Sequence, residues 1–553
     1  EYGPDCLNYL NGQFAIAIWD TRNRSLFLAR DRLGVRPLFY TAGNGQLVFG
    51  SEIKTLLVHP QVQAEIDPEA LAQVFTFWSA LIPHTIFKEI YSLPPAHYLI
   101  ARGGQLKIEP YWEPDFTVAP TSSRTPQEYL EEFEHLLIDA TLIRLRADVP
   151  VGAYLSGGLD SSTTTAIIRK YTSNSLDTFS IAFSDPEFDE SEFQRRMADL
   201  LGTQHQVVYC TQADIGRVFP EIIWHTEIPT LRTAPAPMFL LSRLVRDHNL
   251  KVVITGEGAD EFLGGYDIFK EMAIRRFWAK QPDSKQRSQL LKRLYPEISR
   301  LGSSSEAFLT AFFKKNLTET DSPFYSHLIR WSNTGRLQRL LIDRPQGAIP
   351  QWAEELVPLP DNFKQWPSLG QAQYLEIVTF LTPYLLSSQG DRAAMANSVE
   401  GRFPFLDYRV VEFCNRLPSQ LKLRGLKEKW LLRQCASQLL PPEIWQRSKR
   451  PYRAPIHRSF FGADAPTYVS ELLSEGAVQE SGLFNPRAVT QLANKAQKGG
   501  QLSEVEDMAI AGLLSTQLVY QQFIKELPCR LSTLTATDRV KVINGGVRKE
   551  TIE

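Results

Sequence analysis

Between residues 1 and 110 the apolar positions fall in short runs divided by polar turns, the pattern of half-buried strands. Residues 14–19 and 26–29 flank a polar stretch at 20–25 and predict a hairpin. Residues 37–40 and 47–49 predict a second around Ala42-Gly43-Asn44-Gly45, and 98–101 and 106–108 a third around Gly103-Gly104. Residues 110–126 are rich in Pro, Ser and Thr and lose periodicity, as a linker does. From Gln127 the period changes. Tyr129, Leu130, Phe133, Leu136, Leu137 and Ala140 have helical spacing, and strands at 178–183, 206–209 and 251–255 then alternate with helices at 192–201 and 234–247. That alternation predicts a parallel sheet with helices on both faces. Residues 266–440 read as mostly helical with a loop at 358–367, and the chain turns polar after Pro528. The expected organisation is a β-rich part at 1–110, a linker at 111–126, an α/β part at 127–528 and a polar tail at 529–553.

Composition excludes more than it selects. The chain has 553 residues, 43% hydrophobic and 22% charged, with a formal net charge of −2. This is a globular composition without the global field that draws a protein to nucleic acid or membrane. No basic stripe for RNA is visible. The five cysteines form no C-x-x-C pair, which leaves zinc and redox motifs unsupported and fits a reducing compartment. With no membrane-length apolar stretch and no signal peptide in view, the expectation is a cytoplasmic protein without membrane or nucleic-acid partners.

The chemistry concentrates in a few segments. Ser156-Gly157-Gly158-Leu159-Asp160-Ser161-Ser162 follows an apolar run at 149–155 and precedes a helical run at 163–170. A strand, a Gly- and Ser-rich turn and a helix N-terminus make an oxyanion site: glycines let the backbone approach, and free N–H groups and the helix dipole meet the phosphate. Ser156, Ser161 and Ser162 add hydroxyl donors, and Asp160 suits a divalent cation. No G-x-x-x-x-G-K-[ST] occurs, so this is not a Walker A loop. A second strand enters Thr255-Gly256-Glu257-Gly258-Ala259-Asp260-Glu261. Turns at the carboxyl ends of neighbouring parallel strands converge, which would let Asp160 and Asp260 share a magnesium ion with pyrophosphate oxygens. Taken singly, these acids read equally as solvated turn charges, and Lys429 as a solvated helix lysine.

Together the segments resemble the glutamine-dependent asparagine synthetase family of N-type ATP pyrophosphatases. The motifs S-G-G-L-D-S-S, G-E-G-A-D-E-x-x-G-G-Y, D-R-x-x-M-A-x-S-V-E-x-R-x-P-F-L-D (391–407) and E-K-x-x-L-R (428–433) occur in the family's order. The resemblance runs from about Leu7 to about Pro455 and includes the glutaminase-type segments at 30–38 and 50–54. It implies an α/β synthetase domain, a parallel sheet flanked by helices, preceded by a partial β-rich Ntn-type glutaminase domain. It also implies ATP and Mg2+. ATP would lie on Ser156, Gly157, Gly158, Leu159, Asp160, Ser161 and Ser162, with Leu155, Ile181, Thr255 and Gly256 against its adenosine part. Asp160 and Asp260 would hold the metal, Lys429 would offset charge on the leaving pyrophosphate, and Glu257 would act as base toward ammonia. Arg232 and Glu261 would contact the substrate carboxylate's carrier. The expected reaction is amidation of aspartate to asparagine through an acyl-adenylate, with small-molecule partners and room for a homodimer. β-Lactam-forming relatives place Tyr where this chain has Glu257, so Glu favours intermolecular amidation.

Several family features are missing. Cys6 is internal, so no N-terminal cysteine with its free amine is present, and the R-x-R-G-P-D, N-G-E and S-D-x-E segments that hold glutamine are absent. The sequence reading takes the chain as truncated within the glutaminase part and expects it to use ammonia, not glutamine. Pro229 stands where the family tends to have a hydroxyl, and Lys449-Arg450-Pro451-Tyr452 resembles relatives that amidate other carboxylates. Two further readings stay open: amidation of a peptide, cell-wall or natural-product acid, and a non-catalytic nucleotide-binding scaffold.

Overall fold

In the computed structural model, which describes residues 2–118, 124–173, 175–295, 303–345, 347–450, 452–462, 464–500 and 502–527, the early apolar runs form two antiparallel sheets. One has the order β1 (Ala15–Asp20), β2 (Ser25–Arg30), β6 (His97–Arg102), β7 (Gln105–Pro110). The other runs β4 (Gln46–Gly50), β3 (Phe39–Gly43), β5 (Tyr91–Ser92). Leu28, Leu38, Tyr40, Leu93 and Leu99 form an apolar cluster across them. The charged run leaving β2 is a structural knot. Asp31 accepts backbone N–H groups from Val35 and Arg36, both at 2.9 Å, while Arg30 donates to the carbonyls of Gly34, Arg36 and Leu93.

This part also holds a helix, Pro68–Phe77, which the strand-like reading missed. The Asp67 side chain caps it by accepting from the N–H groups of Glu69 and Ala70. Every residue from Ala70 to Phe77 is buried, so no polar face gives the helix a visible period. The expected linker is docked where it is described: Phe116 is fully buried, the Trp112 indole donates to Glu412 at 2.9 Å, and the Trp366 indole donates to Asp115 at 3.1 Å. The tail expected at 529–553 lies outside the described residues.

The second part is built on a parallel sheet in the order β10 (Gln204–Cys210), β9 (Asp177–Phe183), β8 (Val151–Tyr154), β11 (Val252–Ile254), β12 (Glu400–Arg402). β9 is buried almost throughout, as a strand covered on both faces must be. β12 was not legible as a strand, because its three residues comprise two charged side chains and a glycine. β8, β9 and β10 extend to one side and β11 to the other. The strand order therefore reverses between β8 and β11, and a crevice opens at their carboxyl ends.

A continuous apolar core joins the two parts. Phe77 meets Trp331 edge-on at 5.0 Å, Phe75 meets Phe484 at 5.8 Å, and Phe87 meets Phe523 at 5.7 Å. Buried Glu227 adds a polar tie: it accepts the N–H groups of Ile53 and Lys54, both at 2.8 Å, and pairs with the Lys54 ammonium at 3.0 Å and with Arg392. Among the described residues no helix is long and apolar enough to cross a membrane.

Candidate functional site

The crevice between β8 and β11 receives both glycine-rich turns. After β8, Gly157 takes a positive φ of 70°, and Gly158 caps the helix Leu159–Tyr171 in an extended conformation. A Cβ on Gly157 would come within 2.6 Å of the Phe193 backbone, so only glycine permits this path. The Ser161 hydroxyl lies 2.9 Å from that of Ser156 and accepts the Ser156 N–H at 3.1 Å, which ties the start of the turn to the helix. The Ser162 hydroxyl is buried without a partner. After β11, a Cβ on Gly256 would lie 2.9 Å from the Asp160 side chain and from the Ser161 nitrogen, so the two turns touch.

Four charges alternate across this junction. Asp160 accepts from Lys429 Nζ at 2.6 and 2.8 Å, the same Nζ lies 2.6 Å from Asp260 Oδ1, and Asp260 Oδ2 accepts from Lys449 Nζ at 2.7 Å. Although Asp260 Oδ1 is that close to Lys429, it receives no well-oriented hydrogen bond and keeps a free lone pair. Burial disfavours the Asp260 carboxylate, but the two ammonium groups overcome it and hold its pKa below the usual carboxylate range. Lys449 responds in the opposite sense: burial disfavours its charge, and Asp260 and Asp160 more than restore it, which raises its pKa. Lys429 sits at the N-cap of the helix Trp430–Ala436 with a positive φ of 52° and is 2% exposed. Gly265 makes room for it, since a Cβ there would meet Asp260 at 2.0 Å and Lys429 at 2.2 Å.

Glu257 borders the same cavity, half-buried, with its pKa pushed up to about 7, chiefly by burial. Asp260 and Asp160 push it further, and Lys449 opposes them. The cavity encloses about 1030 Å3, and Leu155, Ser156, Asp160, Ser161, Ile181 and Thr255 all line it. Gly256, Glu257, Asp260 and Arg232 line it too. Leu159 is buried in the helix core behind the turn.

The two expected substrate contacts are placed differently. Arg232 reaches the cavity, but its guanidinium donates to Glu504 at 2.8 Å and lies 4.6 Å over the Trp78 ring. Glu261 is 1% exposed and is not part of the cavity wall. It accepts from the Tyr266 hydroxyl at 2.8 Å, and burial, reinforced by Asp260, raises its pKa to about 8.

An asparagine synthase family model matches residues 132–521. The chain belongs to the asparagine synthase family. A glutamine amidotransferase domain model matches residues 1–112. An amidase, chyE, of Penicillium rubens is 30% identical over 536 residues, which span 90% of this chain and 77% of that protein. Asparagine synthetase [glutamine-hydrolyzing] 3 of Bacillus subtilis is 30% identical over 83% of this chain and 70% of its own length. A putative asparagine synthetase of Mycobacterium tuberculosis is 31% identical over 82% of this chain and 69% of its own length. As a member of this family the chain is a ligase that forms carbon–nitrogen bonds, and the family implies ATP use.

At this candidate site, sequence reasoning gave Lys449 no role beyond its place in a run that resembles relatives acting on other carboxylates, and did not single out Tyr266 or Trp78. Lys449 stood in a Lys-Arg-Pro-Tyr run with nothing to tie it to Asp260, 189 positions away. Trp78 comes from the amidotransferase-like part, with its indole donating to Thr334 at 3.0 Å.

Proposed function

We propose that this ligase amidates a carboxylate through an acyl-adenylate, with AMP and pyrophosphate as the other products. The observation that carries this reading is the alternating row Asp160, Lys429, Asp260, Lys449 beside a glutamate of pKa about 7, at the mouths of two glycine-rich turns. A carboxylate oxygen attacks the α-phosphorus of ATP on the Ser156–Ser162 turn, and the bond to the bridging oxygen of pyrophosphate breaks. Lys449, on the cavity wall, offsets the charge that develops there. Ammonia then attacks the acyl carbon, the bond to AMP oxygen breaks, and Glu257 takes the proton that nitrogen sheds. A carboxyl group with pKa near 7 is matched to that transfer.

The donor set suits Mg2+. Asp160 and Asp260 offer carboxylate oxygens only, and one Asp260 oxygen has a free lone pair. Among the described residues no group of three or more His, Cys, Asp or Glu forms a metal cage, so phosphate and water would complete the shell. When bound, the metal would supply further neutralisation of the phosphates.

Aspartate with nitrogen from glutamine or ammonia is the family's reading of the substrates. A second reading, another carboxylate, is favoured by the placement of Glu261 behind the wall and of Arg232 against Glu504; a relative named an amidase fits it. The test is pyrophosphate release from ATP with magnesium, ammonium and a panel of acids. Acid-dependent release that Glu257→Gln abolishes supports amidation. Tight ATP binding with no release on any acid would identify a nucleotide-binding scaffold instead.

A further inference from the structure

The cavity continues past the phosphate-binding turns. The Lys449 ammonium stands 5.9 Å over the Tyr266 ring, and aromatic faces follow one another outward from there. Tyr266 meets Phe380 edge-on at 6.5 Å; Phe380 meets Trp78 edge-on at 5.4 Å and stacks on Tyr384 at 5.3 Å. All four rings line the one cavity. Arginines line the same cavity. Arg330 lies 5.4 Å over Phe380 and is matched by Glu376, and Arg232 lies over Trp78 and is matched by Glu504. Arg336 and Arg339, on the tight turn Gly335–Leu340, also line the cavity. They are exposed and have no carboxylate partner among the described residues.

A short aliphatic amino acid has no flat apolar surface to lay on these rings. Aromatic faces select flat apolar surface, and unpaired guanidinium forks beside them select carboxylate or phosphate. A pocket of this kind fixes a ligand with an apolar lining and a few placed polar groups. We infer that the acid amidated here is elongated, with a flat aromatic or conjugated body and a second anionic group that docks on Arg336 and Arg339. This inference rests on the amidation reading above. The reacting carboxylate lies by Lys449 and Glu257, the body runs along Tyr266, Phe380 and Trp78, and the far anion meets the arginines.

Three acids that share a short acyl end separate the cases: aspartate, 3-phenylpropanoate and 3-(4-carboxyphenyl)propanoate. In the pyrophosphate-release assay, the aryl diacid is expected to exceed 3-phenylpropanoate by about tenfold in kcat/KM, the scale of a charge-assisted contact. It is expected to exceed aspartate by more. In an Arg336→Ala/Arg339→Ala double variant the preference of diacid over monoacid falls toward one, chiefly through KM. Amidation of aspartate with neither aryl acid turned over would overturn the inference and leave the amidation reading standing, as would a diacid preference that survives the double variant. If no acid releases pyrophosphate although ATP binds, the amidation reading falls and takes the inference with it.

Discussion

Asp260 is shared by two lysines that have different views of the cavity. Lys449 lines it, whereas Lys429 stands behind, buried between Asp160 and Asp260. On the proposed reading Lys449 is therefore the lysine that meets the reacting phosphates, and Lys429, which sequence reasoning placed in that role, positions both acids. Lys449→Ala is expected to cost at least about a hundredfold in kcat, as loss of a charge-stabilising donor does, and to lower the thermal midpoint as well, because buried Asp260 loses one of its two ammonium partners. Lys429→Ala leaves Asp160 without its buried counterion and Asp260 with Lys449 alone. It is expected to destabilise the fold by about 3–5 kcal/mol as well as to lose activity, which a melting curve beside the rate assay would show. In the proposed role Glu257 would set the pH dependence of kcat/KM for the acid: with a pKa near 7 its base form is lost as pH falls through 7, so at constant free ammonia log kcat/KM should drop with unit slope below that point and level off above it. A profile that stays flat from pH 8 to pH 5.5 would remove Glu257 from the role.

At the scale of elements, the site is two strand-to-helix turns pressed together. Gly256→Ala would put a methyl group 2.9 Å from Asp160 and from the Ser161 nitrogen and pry the turns apart. A misplacement of that size is expected to lower kcat/KM for ATP by roughly ten- to a hundredfold, measurable by titrating ATP at saturating acid and ammonium. These turns were legible in the sequence because each carries its own logic: an apolar strand, glycines where backbones meet, and a helix start. The same holds for β8 and β11, and for the hairpin of β1 and β2. What did not show was of two kinds. The helix Pro68–Phe77 and the strand β12 lack period, one because it is buried all round and the other because it is short and charged. Lys449 and Trp78 reach the site only through tertiary contacts across long sequence separations, and no local pattern encodes those.

The whole molecule is held together by a shared core and by Glu227, whose buried carboxylate joins Lys54 and the Ile53 N–H of one part to Arg392 of the other. Burial opposes its charge, and Arg392 and then Lys54 bring its pKa below the usual range. Glu227→Gln keeps the shape but leaves Arg392 and Lys54 without their counterion; a loss of about 3–5 kcal/mol is expected, read as a lower thermal midpoint. An unchanged midpoint would mean that the apolar core alone joins the two parts. The left-handed turn at Trp78, φ 79°, ends its helix, and the indole reaches Thr334 of the other part and lines the cavity there. A chimera that pairs this synthetase part with the amidotransferase part of a relative would therefore exchange one ring of that wall, at position 78, and leave Tyr266, Phe380 and the arginines in place.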